Sequence, residues 1–166
     1  MEICVTRFSS KTFEENKKFR CEKNIECIYG SPIKISENIL PDAIIIIIEM
    51  NNTLNVIEGI GIIKNNYLKD AKKKYKIYSD NNYNRFVYIS KYRIDKLSFT
   101  QYERKYIKKL ENKLFYSYKH FKRGQGIQKI PLFIKELEYD FITFIKNIYL
   151  SRFVNINLKN IKIINL

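Results

Sequence analysis

The sequence predicts an α+β fold, a small curved or closed β-barrel of about five to seven strands with two long helices packed against it. Three observations predict it. The stretch Asp42 to Asn65 holds two apolar runs around a polar tip at Asn51-Asn52-Thr53, the pattern of a β-hairpin. Several shorter segments alternate β-branched and aromatic residues with polar ones, as strands with one covered face do. Two segments, Phe99 to Tyr118 and Pro131 to Ile148, carry apolar residues every three or four positions, the period of a helix.

Taken in order, Glu2 to Phe8 reads as a first strand. Ser9 and Ser10 offer N-caps to a short helix with Phe13 inward, and Thr12 with Glu15 fits a capping box. Cys27 to Pro32 is a short strand ending in a Gly-Ser-Pro turn, where Gly30 permits unusual dihedrals and Pro32 extends Ser31. A brief turn or helix start follows over Lys34 to Leu40, closed by Pro41. Ile44 to Ile48 has no polar side, so that strand is expected at the centre of its sheet, covered on both faces. In the returning strand, Gly59 and Gly61 leave room for a bulge or a close backbone approach.

Asn66 to Lys76 is dense in lysine and reads as a solvated face, since burying uncompensated ammonium groups is prohibitive. Tyr75 to Tyr78 and Phe86 to Tyr92 read as strands around an Asp80-Asn81-Asn82 turn. On the second of these, Arg85, Val87, Ile89, Lys91 and Arg93 share one face, which leaves Arg85 and Arg93 at its ends as candidate phosphate contacts. In the first long helix, Thr100 with Glu103 forms a capping box. Phe99, Tyr102, Tyr106, Leu110, Leu114 and Tyr118 make the inward stripe, and Arg104, Lys105, Lys108, Lys109 and Lys113 the basic outer face. The carboxyl end, Val154 to Leu166, reads as one or two strands. The 166 residues are expected to form one domain, with a barrel core over about 1–95 plus the last strand and a helical part over about 98–150.

Thirty-one Lys and Arg against 17 Asp and Glu give a net charge of +14 and a pI near 9.6, which points to a polyanionic partner. Part of that excess has a second source. Ile, Lys, Asn and Tyr all have AT-rich codons, so a biased genome would supply some of the lysine without selection for it. Three cysteines, Cys4, Cys21 and Cys27, form no C-x-x-C pair, and no apolar leader follows the amino terminus, so a reducing intracellular compartment is expected. One histidine with scattered cysteines does not make a zinc site, and neither metal nor cofactor is expected. No apolar run approaches the roughly 20 residues of a membrane-spanning helix, and no membrane partner is expected.

The order of strand, helix, short strand with a polar turn, apolar strand and glycine-bearing return strand resembles the PUA-like superfamily, the small barrels that include PUA, EVE, ASCH and YTH domains. Cys27 to Pro32 stands for the polar turn, Ile44 to Glu49 for the apolar strand, and Glu58-Gly59-Ile60-Gly61 for the returning strand, over about the first 95 residues. The Glu49-Met50-Asn51-Asn52 tip and the Gly-Ile-Gly strand are also similar to proteins of large DNA viruses, in which a viral factory or virion would be the setting. The superfamily resemblance implies a side pocket that binds RNA, or DNA with a modified base. YTH readers of methyl-adenine build their cage largely of tryptophan. This chain has none, which leaves tyrosine or phenylalanine to stack a base.

The nucleic-acid-binding residues expected from these readings are Tyr29, Ser31, Asn51, Arg85, Arg93, Lys119, His120, Lys122, Arg123 and Gln125. The last five belong to Lys119 to Gly126, where cations surround Phe121 and two glycines bare backbone N–H groups that can grip phosphate. That segment equally fits a basic interhelical loop. Gly124-x-Gly126 is no dinucleotide fingerprint, because it follows a helix and lacks a third glycine. The expected function is non-catalytic nucleic-acid binding of the RNA or modified-base reader type, with RNA preferred over DNA. One alternative is a virion or structural protein that meets an acidic partner or packaged genome. Another is a nuclease or other modifying enzyme, for which Glu49, Glu58 and Asp95 are the candidate carboxylates.

Overall fold

The computed structural model describes residues 2–68, 75–130, 143, 144, 147, 148 and 150–154. The chain divides into two compact units, Met1–Ile130 and Pro131–Leu166, where the sequence predicts one domain. The expected Pro131 helix, the expected strands over Val154 to Leu166 and the lysines of 69–74 lie wholly or mostly outside the described residues. In the second unit, the described part holds a wide helical turn, Leu150–Val154, with Ser151 Oγ donating to the Ile148 carbonyl.

The first unit is α+β. Its elements are β1 (Glu2–Phe8), α1 (Ser10–Lys23), β2 (Cys27–Ser31), β3 (Ile44–Asn51), β4 (Val56–Lys64), β5 (Phe86–Ser90), β6 (Tyr92–Asp95), α2 (Gln101–Glu111) and β7 (Gln128–Lys129). Five strands form one sheet in the order β6-β4-β3-β1-β7, and β2 pairs with β5 in a second sheet. Among the described residues no ladder joins the two sheets into a closed ring.

β3 sits where its five isoleucines predict, at the centre of the larger sheet, parallel to β1 on one side and antiparallel to β4 on the other. Ile45 to Ile48 are fully buried, because packed layers cover both faces of the strand. The β3–β4 register steps from Glu49 opposite Gly59 to Met50 opposite Ile57, which leaves Glu58 as the extra residue of a bulge. Gly61 serves close approach. A side chain there would run into the Tyr29 hydroxyl and Cys27 of the smaller sheet.

α1 begins at the Ser9 cap, but its capping box is Ser9 with Thr12, whose hydroxyl accepts from the Ser9 N–H at 2.9 Å. It ends at Asn24 in the left-handed region, a cap asparagine tolerates well. α2 begins at the predicted Thr100–Glu103 box. Its inward stripe is rotated from the expected one: Glu103, Ile107, Leu110 and Glu111 are buried, while Tyr102 is 63% and Tyr118 fully exposed. The reason is polar. The Glu111 carboxylate accepts the Ile57 N–H at 2.9 Å and so turns that side of the helix onto β4.

Two strand expectations are corrected. Tyr75 to Tyr78 is not a strand, because Asn84 Oδ1 accepts both the Ile77 and the Tyr78 N–H and replaces the ladder that would have taken them. Phe86 to Tyr92 is not one strand either. It breaks at Lys91, where Ser90 Oγ accepts the Tyr92 N–H, and β5 and β6 join different sheets. Arg85 and Arg93 therefore do not share a face. Among the described residues no helix is long and apolar enough to cross a membrane, and no disulfide joins Cys4, Cys21 and Cys27.

Candidate functional site

A buried polar network ties the two sheets together. Arg93 on β6 donates from Nε and Nη2 to the two Glu49 carboxylate oxygens, at 2.8 and 2.7 Å, and from Nη1 to Asp95 at 2.9 Å. The Tyr29 hydroxyl on β2 donates to Glu49 Oε1 at 2.7 Å. Burial alone would lower the Arg93 pKa, but the facing Glu49 charge outweighs it and holds the guanidinium above its ordinary value. Burial also raises Tyr29 well above the usual phenol range and pushes the neighbouring Cys27 thiol up to about 12, the Glu49 charge adding to both. Neither group ionises near neutral pH.

This network fixes several of the expected site residues in structural roles. The Arg93 side chain is 5% exposed and already doubly paired, so it has no fork left for phosphate. Tyr29 is 1% exposed and belongs to the core. Asn51 is buried; its amide donates to Glu58, and its Oδ1 caps the hairpin turn through the Thr53 and Leu54 N–H groups. Ser31 is buried and turned back onto the Ile33 carbonyl. Arg85 is exposed, with its guanidinium 5.7 Å from the Phe86 ring centre. The three candidate carboxylates are engaged as well: Glu49 and Asp95 by Arg93, and Glu58 by Lys96 at 2.6 Å.

The arrangement that invites a ligand lies elsewhere on the smaller sheet. A cavity of about 260 Å³ opens between the end of β1, the start of α1, Gly30 of β2, Asn52 of the hairpin tip, the aromatic residues Tyr78 and Tyr83, and the loop Gly124-Gln125-Gly126. Two of the sequence-predicted features thus meet there: the Gly-Ser-Pro turn and the glycine loop. Tyr78 and Tyr83 form an edge-to-face pair with ring centres 6.1 Å apart. Gly30 lets β2 approach them, since a methyl group on it would strike the Tyr83 carbonyl and the Tyr78 ring. Asn16 of α1 holds the Tyr78 hydroxyl at 3.1 Å and the Ile28 carbonyl at 2.8 Å, which fixes this wall to β2.

The loop is seated by specific bonds. Gly126, with φ of +69°, lies where any side chain would collide with Ser31 and Ile33. The Arg7 Nε donates to the Phe121 carbonyl at 2.7 Å, and the Arg7 guanidinium stacks 4.5 Å from the Phe121 ring centre. Asn52 Nδ2 donates to the Lys122 carbonyl at 2.8 Å, and the Phe121 N–H donates to the Leu114 carbonyl. Lys122 is partly buried, and Lys119, His120 and Arg123 are exposed on the same loop. Of the ten expected residues, Gln125 lines the cavity, and these four flank it along the chain.

Sequence reasoning did not single out Arg7, Asn52, Tyr78 or Tyr83. Arg7 left a signal: it is the lone cation in an apolar strand, on the face shared with Ile3 and Val5. Burial lowers its pKa to about 10, and no carboxylate among the described residues offsets that fall, so Arg7 keeps its charge at neutral pH without a counter-ion there. A second depression, of about 500 Å³, is walled by Tyr67 and Tyr88 beside Lys34, but none of its lining side chains holds an unsatisfied buried atom. Comparison of the chain with protein-family models, with curated proteins and with solved structures gives no match, so the site is read from its own geometry.

Proposed function

We propose that the chain is a non-catalytic nucleic-acid-binding protein that takes a single unstacked base into the cavity beside β2 and holds the adjoining phosphates with the 119–123 loop. The observation that carries this reading is one cavity combining an aromatic wall, Tyr78 and Tyr83, with an Arg7 that no carboxylate among the described residues pairs, next to a cationic loop. Aromatic faces accept any base, and stacking contributes about 1–3 kcal/mol per base. A base must leave its helix to enter so closed a site, which favours single-stranded RNA over duplex DNA. Binding without catalysis is supported by the three candidate carboxylates, each of which is held by a cation. The reading includes a PUA-like arrangement in which the β2–β5 sheet closes over the larger one, supported by the Tyr29–Glu49 bond between them.

The test is a titration of labelled single-stranded RNA and duplex DNA from about 50 to about 200 mM salt. Log affinity should fall linearly with log salt, and RNA should bind more tightly. Replacing Lys119, Lys122 and Arg123 together by alanine should flatten the slope by about two to three units, roughly one for each phosphate that the variant no longer neutralises. Failure to bind either polymer at the lowest salt removes the proposal, and an unchanged slope in the triple variant assigns those side chains to solvent.

A further inference from the structure

The cavity carries more information than its aromatic wall. Arg7 Nη1 and Nη2 and Asn52 Oδ1 are buried and have no hydrogen-bond partner among the described residues. The identity of the asparagine atom is fixed by its neighbour: the Lys122 carbonyl requires a donor, so Nδ2 faces it and Oδ1 is left as the acceptor. The guanidinium is fixed too, by the bond from Nε to the Phe121 carbonyl and by stacking on that ring, which hold its two Nη groups as a preset fork. Ser10, Glu15 and Asn55 also carry unsatisfied buried atoms, but none of them borders this cavity. At the start of α1 the Ser9 and Thr12 N–H groups are taken up by the capping box and the Ser10 N–H by Thr53 Oγ1.

A buried donor or acceptor without a partner is costly, and here three such atoms, two donors and one acceptor, belong to side chains lining one cavity. An inorganic anion matches the donors and is repelled by the acceptor. Resting on the base-pocket reading above, we propose that Arg7 and Asn52 read a nucleobase edge that presents two acceptors beside a donor, which guanine and cytosine have and adenine and uracil lack. Guanine offers N7 and O6 with N1–H next to them; cytosine offers O2 and N3 with its N4 amino group. Adenine places its amino group where the Arg7 fork requires an acceptor, and uracil has no two adjacent acceptors. All three protein atoms are closed off from bulk water, so the Gly124-Gln125-Gly126 part of the loop eases outward as the base enters, while Phe121 and Lys122 keep Arg7 and Asn52 in place.

The experiment measures binding of GMP, CMP, AMP, UMP and inorganic phosphate to the full chain, alongside homopolymeric RNA oligonucleotides. GMP, CMP or both should bind at least about 10-fold more tightly than AMP and UMP, the discrimination of a bidentate contact. The purine and pyrimidine arms show which edge is taken, and 7-deaza-GMP, lacking one acceptor, should lose the preference if it is guanine. Arg7→Lys keeps the charge but not the fork. It should collapse the preference to within about twofold while changing the oligonucleotide salt slope by no more than about one unit. The 7-deaza comparison needs no variant and so stands if Arg7→Lys misfolds. Equal binding of all four nucleotides, or equally tight binding of phosphate alone, overturns the inference. Oligonucleotide binding without base preference removes this inference only, whereas no oligonucleotide binding removes the base-pocket reading with it.

Discussion

Replacing Arg93 by methionine is expected to destabilise the protein by about 3–5 kcal/mol, because the change strands a charge in the core. Glu49 is 1% exposed, and its two oxygens take the Arg93 fork at 2.8 and 2.7 Å together with the Tyr29 hydroxyl. Without Arg93 the carboxylate must either stay buried unpaired or take up a proton. For a chain of this length the loss lowers the midpoint of thermal unfolding by about 6–20 °C. Arg93→Met combined with Glu49→Gln should recover much of the loss, since a buried ion pair replaced on both sides is often nearly neutral. Chemical denaturation of the single and double variants checks this. A single variant within about 1 kcal/mol of wild type would show that the network does not bear on stability.

Gly61→Val should be of similar severity for a different reason. Gly61 on β4 faces the smaller sheet so closely that a new Cβ would lie 2.8 Å from Cys27 Sγ and from the Tyr29 ring, and closer still to the Tyr29 hydroxyl. Neither neighbour can yield easily, because both are fully buried. Overpacking of about 1–3 kcal/mol adds to about 1.5–3 kcal/mol for displacing the Tyr29 bond to a carboxylate, so a total of about 2.5–6 kcal/mol is expected. Tyr29→Phe removes the atom nearest the new side chain, and Gly61→Ala in that background should cost less than Gly61→Ala alone. Unfolding midpoints of the four proteins in this cycle measure the coupling. Strict additivity would place the collision elsewhere.

What the sequence made legible was what strong local signals dictate. Ile44 to Ile48 form the strand that their unbroken apolar run predicts, and Thr100 with Glu103 opens a helix as its capping-box pattern predicts. The parts that were not legible depend on polar side chains substituting for backbone. Asn84 takes the two N–H groups that would have made Tyr75 to Tyr78 a strand, and Glu111 turns α2 so that Tyr102 faces out. The site divides in the same way. Gly124 and Gly126 marked a loop with bared backbone, and the cavity is found beside it. Asn51 and Asn52 are adjacent and chemically identical, yet in the folded tip the first caps the turn while the second lines the cavity. Arg93 and Arg7 are both cations in strands. Facing Glu49 makes one structural, and the lack of any such partner among the described residues makes the other a candidate for ligand contact.

Hydrogen–deuterium exchange with and without a single-stranded RNA of about ten nucleotides, a length one small fold can cover, separates a base pocket from a merely basic surface. New protection is expected at the end of β1 and start of α1 (6–12), at the turn 30–33, at Asn52, at 78–83 and at 121–126, all of which border the cavity or its loop. Protection confined to the outward face of α2, around Lys105 and Lys109, with those segments unchanged, would rule the pocket out.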